Sequence, residues 1–175
     1  MRNLGLTVMM LAASLPMASA ADAANSDLLV KQVRHELVML PYLGVFDHMA
    51  FHVADGVVTL SGQVTRPTLK TSAGNVVRRL EGVMAVKNEI EVLPLSPNDD
   101  RIRIAVVQAV YGYPALQRYA LGSQPSIRII VKNGDLTLEG VVANQGEKDL
   151  VNIRANGVAG VFKVTNKLQV ENPKA

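Results

Sequence analysis

The chain has no cysteine and no tryptophan, and only 4% of its 175 residues are aromatic. Without cysteine it carries no disulfide and no thiol nucleophile, so any folded part must rely on ordinary core burial. A bacterial lipid anchor would need a cysteine at the cleavage point, so none is expected here. No stretch reaches the roughly 18 uninterrupted apolar residues of a membrane-spanning helix. A Gly-x-Ser-x-Gly elbow, a His-Glu-x-x-His pair and a phosphate-cradling loop are all missing, and with them the common footings for catalysis. The formal net charge is only +3 and dispersed, without aromatic stacking pairs or Gly-Arg tracts, which argues against nucleic acid as a partner. Of the three histidines, His35 falls on a polar helix face. His48 and His52 would point the same way from one strand, yet lie about 13 Å from each other at roughly 3.3 Å per residue. Asp47, His48 and His52 therefore do not predict a metal site, and all three histidines are expected to be solvated. No cofactor is implied.

The first 20 residues read as an export signal. Arg2 supplies a positive start, Leu4 to Leu15 is apolar and uncharged, and Ala18-Ser19-Ala20 is a small-x-small cleavage site behind Pro16. The expectation is a periplasmic protein, cut after Ala20.

What is present is a duplication. Asp55-Gly-Val-Val-Thr-Leu-Ser-Gly-Gln-Val64 returns as Asn133-Gly-Asp-Leu-Thr-Leu-Glu-Gly-Val-Val142, 78 residues on. At the same spacing, Gly82-Val-Met-Ala-Val-Lys-Asn-Glu-Ile90 returns as Gly160-Val-Phe-Lys-Val-Thr-Asn-Lys-Leu168. So long a period means two copies of one small domain rather than a solenoid of shorter repeats. The copies span residues 26–93 and 98–171, with 94–97 as a stiff Pro-bounded linker. The second half is the more basic: from Asn98 to Ala175 there are ten Lys and Arg against seven Asp and Glu, whereas from Asp27 to Val92 there are seven of each.

Each copy opens with a helix. Leu29, Val33, Leu37 and Leu40 form an apolar stripe after the candidate caps Ser26 and Asp27, and Pro41 ends it. In the second copy Asn98, Asp99 and Asp100 give an acidic start, and Gly112 and Pro114 mark the end. Asp55-Gly56 and Asn133-Gly134 suit type I′ turns, which fixes the hairpin registers. Val131 then faces Leu136 and Ile129 faces Leu138 on a core side; Lys132 faces Asp135 and Arg128 faces Glu139 on a solvated side. Val53 with Val58, Phe51 with Leu60 and His52 with Thr59 are the first-copy equivalents. Second helices are predicted over 68–80 and 145–155, followed by a last strand through Val86, Asn88, Ile90 and Val92, or Val164, Asn166, Leu168 and Val170. Asn88 and Asn166 break the apolar face at the same place, as side-chain hydrogen bonders to backbone.

The order αββαβ, the x-Gly-x-Val/Leu-Thr-Leu-x-Gly-x-Val hairpin and the closing Gly-Val-x-x-Val-x-Asn-x-Ile/Leu resemble the BON domain, twice. The resemblance implies an α+β fold, two tandem domains each with a three-stranded mixed sheet under two helices. It also implies a non-enzymatic module of the cell envelope that binds phospholipid or attaches to partner proteins.

The two opening helices differ. Arg101-Ile-Arg-Ile-Ala-Val-Val-Gln-Ala-Val-Tyr111 is apolar around most of its circumference. Ile102, Val106, Ala109, Val110 and Tyr113 serve as its core stripe. A second stripe remains: Ile104, Val107 and Tyr111, with Gln108 beside it and Arg101 one turn ahead. A surface helix needs one apolar face, so the extra one must meet something. Three covers remain open. One is the other repeat. Another is an anionic phospholipid surface, for which Tyr111, Tyr113 and Tyr119 suit the interface and Arg101, Arg103 and Arg118 the headgroups. The third is an envelope protein or a second copy. Arg101, Ile104, Val107, Gln108, Tyr111 and Tyr113 are thus the candidate lipid- or partner-binding residues.

Overall fold

The two copies fold alike. A computed structural model describes residues 20–121 and 125–171; all but the last residue of the expected export signal and the middle of the 119–125 loop lie outside the described residues. The first repeat runs α1 (Ala20–Val38), β1 (His48–Ala54), β2 (Val57–Val64), α2 (Pro67–Arg78), β3 (Ala85–Asn88) and β4 (Glu91–Val92). The second runs α3 (Pro97–Tyr111), a 3-10 turn (Pro114–Ala120), β5 (Ile127–Lys132), β6 (Asp135–Val142), α4 (Gln145–Asn156), β7 (Lys163–Asn166) and β8 (Gln169–Val170).

Both hairpins turn at the expected dipeptides. Asp55 and Gly56 have φ of 48° and 72°, and Asn133 and Gly134 have 54° and 81°, the left-handed pair that a type I′ turn requires. Every predicted cross-strand pair is present, from Phe51 opposite Leu60 to Lys132 opposite Asp135. β3 and β4 run parallel to β2 in one continuous register, as β7 and β8 do to β6. The motif's second glycine has its own reason. At Gly62 (φ 112°) a Cβ would lie 2.2 Å from the His48 carbonyl oxygen, and at Gly140 (φ 125°) 2.0 Å from that of Ser126. No side chain fits between the hairpin strands there.

The last strand is broken in both copies for one reason. Asn88 donates its Nδ2 to the Lys70 carbonyl in α2 (2.7 Å) and accepts the Ile90 amide at Oδ1 (3.3 Å). Asn166 does the same with the Lys148 carbonyl (3.0 Å) and the Leu168 amide (3.1 Å). Each asparagine takes the outward-facing amide two residues on and ties strand to helix, while the ladder bond continues beside it, from the Glu89 amide to the Leu60 carbonyl (2.8 Å) and from the Lys167 amide to the Leu138 carbonyl (2.9 Å). Ile90 and Leu168, just beyond, are fully buried.

Two predicted starts need correction. Ser26 and Asp27 do not cap α1, which runs through them from Ala20, because the alanine-rich run ahead of them favours helix. α3 begins at Pro97, inside the predicted linker, with Ser96 as N-cap accepting the Asp99 amide.

Each repeat has its own core. Leu29, Val33, Leu37, Val58, Leu60, Leu69, Val77 and Ile90 pack in the first. Ile102, Val106, Val110, Leu116, Ile129, Leu136, Leu138, Val151 and Leu168 pack in the second. At about 25 cal/mol per Å² of apolar area removed from water, cores of this kind supply the main driving force for folding.

Candidate functional site

α3 is held to its own domain by polar contacts as well as by its core stripe. The buried Asp99 carboxylate accepts the amides of Asn133 (2.8 Å) and Gly134 (2.9 Å), so the helix start is pinned to the hairpin turn. Arg103, 4% exposed, reaches the Val131 carbonyl (2.7 Å) and pairs with Asp100. Its Nε has no partner among the described residues. Arg103 was expected to meet headgroups; it is instead a buried strut between α3 and β5, held by the Val131 carbonyl and Asp100.

The predicted second stripe divides. Ile104 is 55% exposed, and Arg101 and Gln108 beside it are exposed too. Val107 and Tyr111 are half-buried against the second core. The Tyr111 hydroxyl donates to the Ile127 carbonyl, and burial pushes its pKa up to about 12. Tyr113 is not in the core stripe: it lies at the surface, 36% exposed, under the Arg154 guanidinium at 4.9 Å. Tyr119, expected at an interface, is buried, and its hydroxyl accepts the Ala143 amide (2.7 Å). Arg118 pairs with Glu147 and lies over the Tyr119 ring. Burial opposes ionisation of Glu147, yet hydrogen bonds from Tyr119 and Arg118 outweigh it and hold the carboxyl below its ordinary value. The exposed set is therefore Arg101, Ile104, Gln108 and Tyr113, with Leu121 and Ile153 as further exposed apolar residues of the same domain.

The repeats do touch, but not through that stripe. The loop before β1 reaches across to the edge of β5: the Ile129 amide donates to the Val45 carbonyl (2.9 Å), and Arg128 to the Gly44 carbonyl (2.9 Å). Val45 and Phe46 pack against the second core. Glu91 pairs with Lys132 across the seam. The side of β5 carrying Arg128, Ile130 and Lys132 is consequently not simply solvated: Ile130 is buried and Arg128 half-buried. Glu139 pairs with Lys167 rather than with Arg128 opposite it. No local periodicity announces such a seam, because its loop and its strand are some 80 residues apart in sequence.

Asp47 has a structural role, and the histidines differ in their surroundings. The buried Asp47 carboxylate accepts the Gly44 amide (2.9 Å), the Thr65 amide (2.7 Å) and the Thr65 hydroxyl (2.9 Å). His48 is half-buried rather than solvated. Desolvation lowers its pKa from 6.5, Glu139 opposes the shift, and Arg128 and Lys167 add to it. His52 is exposed. Among the described residues no group of three His, Cys, Asp or Glu is placed to hold a metal ion, and no helix is long and apolar enough to cross a membrane.

The family model of the BON domain matches twice, over residues 25–94 and 113–172. The chain belongs to the BON-domain family, as a tandem of two such domains. The family is linked to phospholipid binding and to envelope proteins, and its members are generally non-enzymatic binding modules. The second match begins beyond α3, whereas the first takes in α1 from Asn25 onward. No curated protein matches the chain. Among solved structures it is similar to CdsD, a structural protein of the type III secretion system of Chlamydia trachomatis, at 13% identity. That match covers 80% of this chain and 90% of the other, with a TM-score of 0.32. The C-terminal domain of the same protein gives 14% identity, 82% and 98% coverage, and a TM-score of 0.29.

Proposed function

We propose that this is an exported, periplasmic envelope protein without catalytic activity, which docks peripherally on anionic phospholipid through the outer face of α3. The observation that carries the reading is Ile104. It is a β-branched residue more than half exposed, on a helix whose core stripe is already complete, with Arg101 exposed one turn ahead. An apolar residue flanked by a cation suits the boundary between headgroup and acyl chain. The second domain also carries the positive excess that an anionic surface attracts, at about 1 kcal/mol per basic residue near the membrane. Val107 and Tyr111, half-buried in their own domain, support this face from behind rather than contacting lipid. Gln108 and Tyr113 border it.

Co-sedimentation with phosphatidylglycerol vesicles and with phosphatidylcholine vesicles, at low and high salt, tests the reading. Binding should require the anionic lipid and weaken with salt. Indifference to lipid charge and salt contradicts it, and points to the second reading, a periplasmic scaffold or chaperone-like module that uses the same apolar residues on proteins.

A further inference from the structure

The two hairpins present their outer edges differently. β1 and β5 are edge strands of their sheets. On β5 the amide of Ile129 points away from β6 and is taken by the Val45 carbonyl. Phe51 faces Leu60 as Ile129 faces Leu138, so the Phe51 amide and carbonyl point outward in the same way, with those of Met49 and Val53 on either side. None of these three residues has a hydrogen bond outside β2 among the described residues. Their side chains pack on the first core but are only partly sealed, with Arg34 lying 5.6 Å from the Phe51 ring centre. Met49, Phe51 and Val53 are half-buried, where Ile127, Ile129 and Val131 are fully buried. Val38 occupies the α1 position corresponding to Tyr111, and it is 47% exposed. The result is a strip of unpaired backbone and half-open apolar side chains along one edge of the first domain.

Natural edge strands are usually guarded by a lysine, a proline, a bulge or short length. β1 has seven residues, His-Met-Ala-Phe-His-Val-Ala, without proline, acid or lysine, and its pairing with β2 is unbroken. We propose that a second copy of this chain covers it, by antiparallel pairing of β1 with its own symmetry mate about a two-fold axis at Phe51. Such pairing is self-complementary: Met49 meets Val53 of the mate, and Ala50 meets His52, with no like charge opposed at neutral pH. It extends the sheet through both molecules and brings the Val38 surfaces of the two copies together. Pairing of β1 with its own mate closes on the two-fold axis, and the β5 edge of the second domain is already occupied by Val45, so the assembly expected is a dimer.

Sedimentation velocity of the purified protein over a concentration series reads this directly. A reversible monomer–dimer equilibrium is expected. Ala50→Lys with His52→Lys sets four like charges across the axis and should raise the dissociation constant by about tenfold or more. Both positions are exposed, so circular dichroism should show the fold unchanged. Ala85→Lys, on the opposite edge of the same sheet, should leave the dimer intact. A wild-type chain that stays monomeric throughout, a dimer that survives the double lysine variant, or one abolished equally by Ala85→Lys overturns the proposal.

Discussion

The two repeats share one backbone and close it by different means. At the hairpin corner the second repeat places Asp99 against the amides of Asn133 and Gly134, with Arg103 lying across to Val131. The first has Ser26 and Val30 at those positions, and the corner is a cleft of about 600 Å³, lined among others by Ser26, Leu28, Leu29, Val53, Asp55 and Gly56. At the far end of the hairpin the same amide is capped in both, by the Asp47 carboxylate at Thr65 and by the Tyr119 hydroxyl at Ala143. A duplicated fold thus conserves the need for a hydrogen-bond partner without conserving the residue that meets it. The second repeat is the more tightly sealed, and its one unexplained apolar residue on α3 stands out for that reason.

Breaking the seals should separate the repeats in order of size. Asp99→Ala strands two turn amides, one of them buried, and should cost about 3–4 kcal/mol in denaturant unfolding, because hydrogen bonds to charged groups are worth about 1.5–3 kcal/mol each. Ser26→Ala, the matching change in the first repeat, should stay within about 0.5 kcal/mol. Asp47→Ala leaves the Gly44 and Thr65 groups unpaired and should cost about 3 kcal/mol, against about 1–2 kcal/mol for Tyr119→Phe, which strands the Ala143 amide while the charged partners Glu147 and Arg118 keep each other. If Tyr119→Phe were the costlier of the two, the equivalence of these caps would be wrong.

The smallest effect should come from the seam between the repeats. His48 faces Glu139 on β6, Arg128 on β5 and Lys167 beyond β7, with the Glu91–Lys132 pair also bridging the two domains. Its pKa is lowered in the packed state, chiefly by burial, so packing favours the neutral ring. That contribution is full above pH 6.5 and is lost as the pH falls through the lowered value. The thermal midpoint of the wild type should fall on mild acidification more than that of His48→Gln. Equal slopes would place His48 outside the seam's energetics.

What the sequence revealed follows from the range of each interaction. A two-residue turn fixes its hairpin, so Asp55-Gly56 and Asn133-Gly134 determined every cross-strand pair by short-range chemistry. Asn88 and Asn166 were readable because an amide on an apolar face must find backbone. Arg103 and Tyr113 were misplaced for the opposite reason. On a helix that is apolar nearly all round, periodicity does not say which residues turn inward, and a buried arginine is set by a carbonyl 28 residues away. The Val45–Ile129 contact is longer in range still. The α3 face was therefore only partly legible, with Arg101, Ile104 and Gln108 placed at the surface as expected and Val107 and Tyr111 held halfway in.

The most direct test sets α3 against α1 at equivalent positions. Ile104 corresponds to Lys31, which is also exposed. Ile104→Asp and Lys31→Asp are compared for binding to phosphatidylglycerol vesicles at low salt. The second change alters charge by two units and the first by one, so a purely diffuse attraction would suffer more from Lys31→Asp. Docking through α3 predicts the reverse: Ile104→Asp loses binding while Lys31→Asp keeps most of it. Retention by Ile104→Asp, with loss in Lys31→Asp, would contradict the assignment of the second domain as the membrane-facing half.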